Sequence, residues 1–231
     1  SGGFVDDDGA IISFDEIEDV GVVIGPPAGP VVVMGTGADD DITAVGVAAD
    51  SVDVTVNDGP TITYVGVTSL TLQGKEGDDD ITIDVNNAFD VEFIVDGGPP
   101  TAGSDDLRVT GADDANDNPV WTPTAADGGT LNLDSLDDPI AVSFVENLFY
   151  DGESDDESLT VVAFEPGHEP YTYHRPGPAS DAGFMGLRDT IGGATIELLG
   201  VNYENLGAGG SVTADSSASD TATLAVLGSE D

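Results

Sequence analysis

Apolar and polar residues alternate along most of this chain with a spacing of two. Val52-Asp53-Val54-Thr55-Val56 is one such run, and runs of this kind, rich in β-branched residues, predict strands with one buried face. Four longer runs share a layout: Ile12 to Val20, Ile62 to Leu70, Ile140 to Leu148 and Ile196 to Leu206. They close on similar tetrapeptides, Ile17-Glu18-Asp19-Val20, Val67-Thr68-Ser69-Leu70, Val145-Glu146-Asn147-Leu148 and Tyr203-Glu204-Asn205-Leu206. The Asp, Ser or Asn before the last apolar residue can bond its own backbone and hold a bend. Beyond the bend the pattern predicts a short strand, an acidic loop, a strand, a turn, and a further strand ending in a turn such as Asn57-Asp58-Gly59-Pro60. No segment carries the 3.6-residue spacing of an amphipathic helix.

The chain also repeats itself. Gly35 to Pro60 falls on Gly74 to Pro99 at a constant offset of 39 residues, so that Asp39-Asp40-Asp41-Ile42-Thr43 overlies Asp78-Asp79-Asp80-Ile81-Thr82. A third copy lies 78 residues further on, where Leu148, Tyr150, Gly152, Asp156 and Leu159 take the places of Leu70, Leu72, Gly74, Asp78 and Ile81. Units of this length that cannot bury a face alone stack on one another. The expected fold is therefore all-β, a parallel β-solenoid or β-helix of about four rungs. Antiparallel four-stranded repeats, propeller- or sandwich-like, are the alternative, because every strand pair could equally be a hairpin. The segment 100–139, which holds Trp121, reads as an insertion loop or small subdomain of one repetitive domain spanning 1–231. Residues 1–9 align with the last strand of a unit, while the C-terminal unit stops after its middle strand. An N-terminal strand exchanged between copies, joined head to tail, is one expectation; closure of the two ends on each other and excision from a longer array are the others.

Charge sharpens this picture. Of 46 acidic residues 34 are Asp, against Lys75 and three arginines, giving a net charge of -42. That balance argues against nucleic acid or an anionic membrane as a partner, and no apolar run approaches the roughly 18 residues of a membrane span. With no cysteine, stability must come from packing, metals or assembly. The chain starts Ser1-Gly2-Gly3-Phe4, without a basic leader region, and is expected to be a mature or internal segment. Adjacent carboxylates repel, and Asp39-Asp40-Asp41 and Asp78-Asp79-Asp80 call for cations among them. Adaptation to high salt would also favour acid, but would spread it over the strand faces instead of gathering Asp in loops.

Gly74-Lys75-Glu76-Gly77-Asp78-Asp79-Asp80-Ile81-Thr82 resembles the calcium-binding nonapeptide of RTX-type secreted bacterial proteins, lacking only its second Gly. Gly103-Ser104-Asp105-Asp106-Leu107 matches its second half, and Gly35 to Thr43 matches with Ala38 in place of a Gly. Glycines let carbonyls and Asp carboxylates converge as hard oxygen ligands for Ca²⁺. In that family the motifs run in tandem and share ions; here they are isolated. The wider pattern is similar to the large repetitive bacterial surface proteins of LEPR-XLL type, although the LEPR-XLL signature itself is absent. The likeness implies an extracellular, structural or adhesive role. Asp114-Ala115-Asn116-Asp117-Asn118-Pro119 is similar to the cadherin linker pattern, which implies a cation there too. The metal candidates are thus Asp39, Asp40, Asp41, Asp78, Asp79, Asp80, Asp105, Asp106, Asp114, Asn116, Asn118, Asp155 and Asp156.

Catalytic signatures are wanting. No nucleophile elbow or zinc-binding His pair occurs, and His174 falls at a turn position of the repeat, so no enzymatic activity is expected. The sequence reading is an extracellular, calcium-bridged structural protein at the cell surface whose copies form a filament, sheath or matrix. The alternative is a solenoid adhesin that binds glycans through Tyr171, Tyr173 or Trp121. A fragment of a giant surface protein and a polysaccharide lyase-like β-helix are remoter readings.

Overall fold

A computed structural model of the chain describes residues 3–7, 10–14, 22–24, 29–85, 91–99, 104–112, 116–162, 171–191, 194–215 and 223–226. All its regular elements are strands, so the all-β expectation holds. Strands β1 (Gly3–Asp7) and β2 (Ala10–Phe14) form an antiparallel pair of their own. The rest build an 11-stranded and an 8-stranded sheet.

From β3 (Val22–Ile24) onward the chain passes from one sheet to the other and back. It runs from β3 in the larger sheet to β4 (Gly29–Met34) in the smaller, then to β5 (Asp41–Ala48), β6 (Ser51–Val56) and β7 (Ile62–Val65) in the larger. Next come β8 (Val67–Gln73) in the smaller sheet, β9 (Asp80–Asp84) in the larger, β10 (Glu92–Asp96) in the smaller and β11 (Asp106–Thr110) in the larger. Strands β12 (Val120–Ala125), β13 (Gly128–Asn132) and β14 (Ile140–Ser143) follow in the smaller sheet and β15 (Asn147–Asp151) in the larger. The chain then enters β16 (Ser158–Val162) in the smaller sheet. Strands β17 (Tyr171–Pro176), β18 (Gly183–Ile191) and β19 (Ala194–Glu204) lie in the larger, before β20 (Ser211–Asp215) in the smaller and β21 (Thr223–Val226) in the larger.

Successive passes through one sheet pair in parallel, as β4, β8, β10 and β14 do in the smaller and β5, β9, β11, β15 and β19 do in the larger. The sheets are nevertheless mixed, not parallel throughout. Strands β5–β7, β12–β14 and β17–β19 are antiparallel meanders. In the first two, the two-residue turns Ala49-Asp50 and Ala126-Asp127 reverse the chain before it can cross to the other sheet.

The repeat of 39 residues is a physical register. Val31 pairs with Leu70 and Ile42 with Ile81, one copy stacked directly on the next. Beyond that the copies diverge: β6 folds back on β5, while its counterpart β10 crosses to the smaller sheet. Two of the long strands expected from the pattern are broken where the chain changes sheets, at Gly66 (φ 72°) and at Phe144 (φ 54°). The segment 100–139 is no excursion. It supplies β11 to the larger sheet and β12 and β13 to the smaller, because its alternating residues bury Leu107, Val109, Trp121 and Leu131 in the common core.

That core lies between the two sheets, where the inward residues of every pass meet: Leu70 and Leu72, Ile81 and Ile83, Phe93 and Val95, Leu107 and Val109, Leu148 and Tyr150. Each such aliphatic or aromatic side chain contributes about 1.5–3 kcal/mol on burial. Truncating one, as in Leu72→Ala, is expected to cost about 2–5 kcal/mol.

Candidate functional site

At five of the crossings from one sheet to the other, a glycine follows the first strand and a buried acid precedes the next. The pairs are Gly35 and Asp40, Gly74 and Asp79, Gly97 and Asp105, Gly111 and Asp117, and Gly152 and Glu157. All five acids are buried. The glycines make this possible: a β-carbon would stand 2.8 Å from a carboxylate oxygen at Gly35, Gly97 and Gly111, and 2.6 Å from one at Gly152.

At one edge of the stack these acids form a ladder. The Asp40 N–H donates to Asp79 Oδ1 at 2.8 Å, the Asp79 N–H to Asp105 Oδ1 at 2.9 Å, and the Asp105 N–H to Glu146 Oε2 at 2.8 Å. Outside it runs a second row, in which the Asp78 N–H donates to Asp39 Oδ1 at 3.2 Å and the Ser104 N–H to Asp78 Oδ1 at 2.7 Å. A third row, Asp41, Asp80, Asp106 and Asn147, sits in register on neighbouring strands. The eight predicted residues from Asp39 to Asp106 are thus brought together. Glu146, which completes the ladder, was hidden in the bend signature at 145–148.

The opposite edge gathers the other candidates. Asn116 Nδ2 donates to the Asp156 carbonyl at 3.3 Å, the Ser158 N–H to Asn118 Oδ1 at 3.3 Å, and the Gly209 N–H to Asp156 Oδ1 at 2.6 Å. Asp155 belongs to the same turn, its N–H bonded to the Gly152 carbonyl, and Asp114 lies outside the described residues. The inner acids here are Asp117 and Glu157, not those singled out by motif. The Asp117 N–H donates to Glu157 Oε1 at 3.2 Å, and the Tyr150 hydroxyl donates to Glu157 Oε2. Asp117 in turn accepts from the Ala112 and Ser135 N–H groups. The signal that would have found both is the glycine five or six residues upstream.

The ladder is electrostatically uneven. Burial raises the Asp40 carboxyl, but hydrogen bonds from Asn57 and Thr36 outweigh it and hold the group below the usual range. Burial, then the charges of Asp40, Asp39 and Asp78, push Asp79 up. Asp80 rises through burial and the charges of Asp106, Asp41 and Asp78. Burial, with Asp79 and Glu146 beside it, lifts Asp105 to about 6. Glu157 is pushed up to about 7, chiefly by burial, despite its bonds from Tyr150 and the Asp117 N–H. Asp79 stands out further: it is 1% exposed, and its Oδ2 has no hydrogen-bond partner. The repeat explains why. Asp40 is served by Thr36 and Asn57; at offset 39 their places fall to Lys75 and Asp96.

The outer rows carry hard oxygen donors of the type Ca²⁺ takes. Among the described residues no three acidic or imidazole side chains converge on one point, so an ion here would bridge acids of adjacent strands and complete its shell with backbone oxygen or water. Parallel neighbours lie about 4.8 Å apart, close to twice a Ca–O distance of about 2.4 Å.

The remaining predicted groups fall elsewhere. His174 lies within β17, not in a turn, its ring stacked on Tyr203 and its titration lowered by burial. Trp121 is 0% exposed and its Nε1–H donates to the Leu199 carbonyl at 2.8 Å, so the indole cannot reach a glycan. Tyr173 is buried and bonded to Glu197, while Tyr171 is half-buried. Comparison with protein-family models, with curated proteins and with solved structures gave no match.

Proposed function

We propose that this chain is a structural unit of an extracellular matrix or sheath, a β-solenoid-type coil whose copies stack head to tail and whose acidic edges are bridged by Ca²⁺. The observation that carries the reading is the direction of the outermost strands. The smaller sheet ends in β4 and β20 and the larger in β3 and β21. Following the pairings through each sheet, β4 runs parallel to β20 and β3 to β21. A second copy set on the first would continue both sheets at once with the parallel pairing used inside. Such a contact is heterologous and propagates, using backbone edges that sheet proteins otherwise have to protect.

The cation part of the reading rests on Asp79. A buried carboxylate oxygen without a donor, flanked by further acids, is costly unless protonated or neutralised, and Lys75 is the one lysine of the sequence. A site with Kd one hundredth of ambient calcium adds about 2.7 kcal/mol to stability. Electron microscopy and thermal melting with Ca²⁺ and with EGTA test both parts. Filaments and a higher Tm in calcium are expected. Lone particles in both buffers would remove the assembly, and an unchanged Tm would remove the ions.

A further inference from the structure

Three of the four cationic side chains in the sequence are Arg108, Arg175 and Arg188, and the first two face one cleft on the outward side of the larger sheet. One row of register partners crosses that face: Arg108 on β11 meets Phe149 on β15, Phe149 meets Asn202 on β19, Asn202 meets Phe184 on β18, and Phe184 meets Arg175 on β17. The row alternates with the buried positions Leu107, Leu148, Val201 and Met185, which places it on the solvent side. It lines a cleft of about 360 Å³. The Arg108 guanidinium lies 5.4 Å from the Phe149 ring centre, and that of Arg175 lies 5.7 Å from Phe184 and 5.2 Å from Tyr173.

We propose that this cleft binds a short acidic saccharide. Two phenyl rings stand two strands apart in the row, about 10 Å, and offer apolar faces on which successive sugar rings can pack. Asn202 between them brings an amide for hydroxyl groups. A guanidinium at each end presents the planar fork that pairs with a carboxylate. The two are unequal. Arg108 already holds Glu204 at 2.6 Å and Asp151 at 3.9 Å, both through Nη1, whereas Arg175 is positioned by the rings of Tyr173 and Phe184. Arg175 is therefore the main carboxylate partner and Arg108 an orienting one.

The rest of the molecule limits the length of the ligand. A net charge of -42 repels any extended polyanion on approach, so one or two carboxylates are tolerated and a nucleic acid or heavily sulfated chain is not. This inference does not depend on calcium bridging or on assembly.

The test is calorimetric titration of the full chain with digalacturonic acid and with its dimethyl ester. The free acid is expected to bind at least about tenfold more tightly than the ester, the worth of one charge-assisted hydrogen bond. Arg175→Gln should weaken binding of the acid about tenfold, while Lys75→Gln, on the acidic edge, should leave it unchanged. Equal affinity for acid and ester, no saturable binding, or full affinity in a folded Arg175→Gln chain would each overturn the proposal. Should that variant not fold, the comparison of acid with ester on the unaltered protein decides.

Discussion

The backbone N–H of Asp40 donates to Oδ1 of Asp79 at 2.8 Å, so the main chain of one copy grips the side chain of its counterpart 39 residues on. The two acids have opposite energetics. Asp40 gathers donors from Thr36 and Asn57, while Oδ2 of Asp79 has none. Asp79→Asn keeps the acceptor that Asp40 needs and removes an uncompensated charge, so its Tm at pH 7.5 without calcium should rise. Asp40→Asn loses charge-assisted bonds and should destabilise by about 1–3 kcal/mol. Melting curves that fall alike for both variants would refute this asymmetry.

Stability should increase on mild acidification. Asp105 titrates at about 6 and Glu157 at about 7 in the folded chain, above the ordinary values near 4 of an unfolded chain. The folded state therefore binds more protons between these limits, and its stability declines as pH rises through them. A Tm that climbs as pH drops from 7.5 to 5 is the expected result. Asp40 works in the opposite sense, its contribution being lost as pH falls below the ordinary carboxylate range. Calcium held by the outer rows, as proposed, would favour the charged form of the neighbouring Asp105 and should flatten the upper part of the profile. A Tm that falls steadily from pH 7.5 to 5 would contradict the assignment.

Tyr150→Phe removes the hydroxyl that donates to Glu157 Oε2 in the buried edge. The carboxylate form loses a donor, whereas the protonated form loses less. The variant should be destabilised by about 1–3 kcal/mol at pH 8, and by clearly less at pH 5.5. Equal losses at both values, read by denaturant titration, would show that Glu157 does not change its charge between them.

Gly152→Ala would set a methyl 2.6 Å from Glu157 Oε2 and 3.0 Å from the Asn205 carbonyl. Overpacking of this kind costs about 1–3 kcal/mol. Gly37→Ala, where nothing stands within 4 Å, should change stability by no more than about 0.5 kcal/mol. If the two alanine variants melt together, the glycine at each edge has some purpose other than making room for the acid.

Much of the fold was legible because alternation and the repeat report physical contacts. The offset of 39 is the register in which β5 stacks on β9. What alternation could not report was the destination of the next strand. Ser51–Val56 and Glu92–Asp96 read alike, yet the first turns back after Ala49-Asp50 and the second crosses to the other sheet. The third copy hid a further point. Leu70 lies in the smaller sheet and Leu148 in the larger, so the third copy matches the second across the two sheets and not along one of them. Motifs located the outer acids, whereas Asp117 and Glu157 carry only the weak signal of a glycine five or six residues upstream, and Glu146 lies within a bend signature that gives no hint of its partner Asp105. The arginine and phenylalanine row was invisible for the same reason, its members being up to 67 residues from Arg108 to Arg175 but side by side across strands.

The meanders at the two extremities of the stack have a mechanical corollary. Unravelling from the N-terminal side frees β3 and β4, and then meets β5, which is held between β9 and β6. From the C-terminal side β21 and β20 come away first, and β19 is then clasped between β15 and β18. Either way the third strand must shed two ladders together. If copies join as proposed, tension along the fibre would peel the two outermost strands of the stack and stall, a latch made without crosslinks by a chain that contains no cysteine.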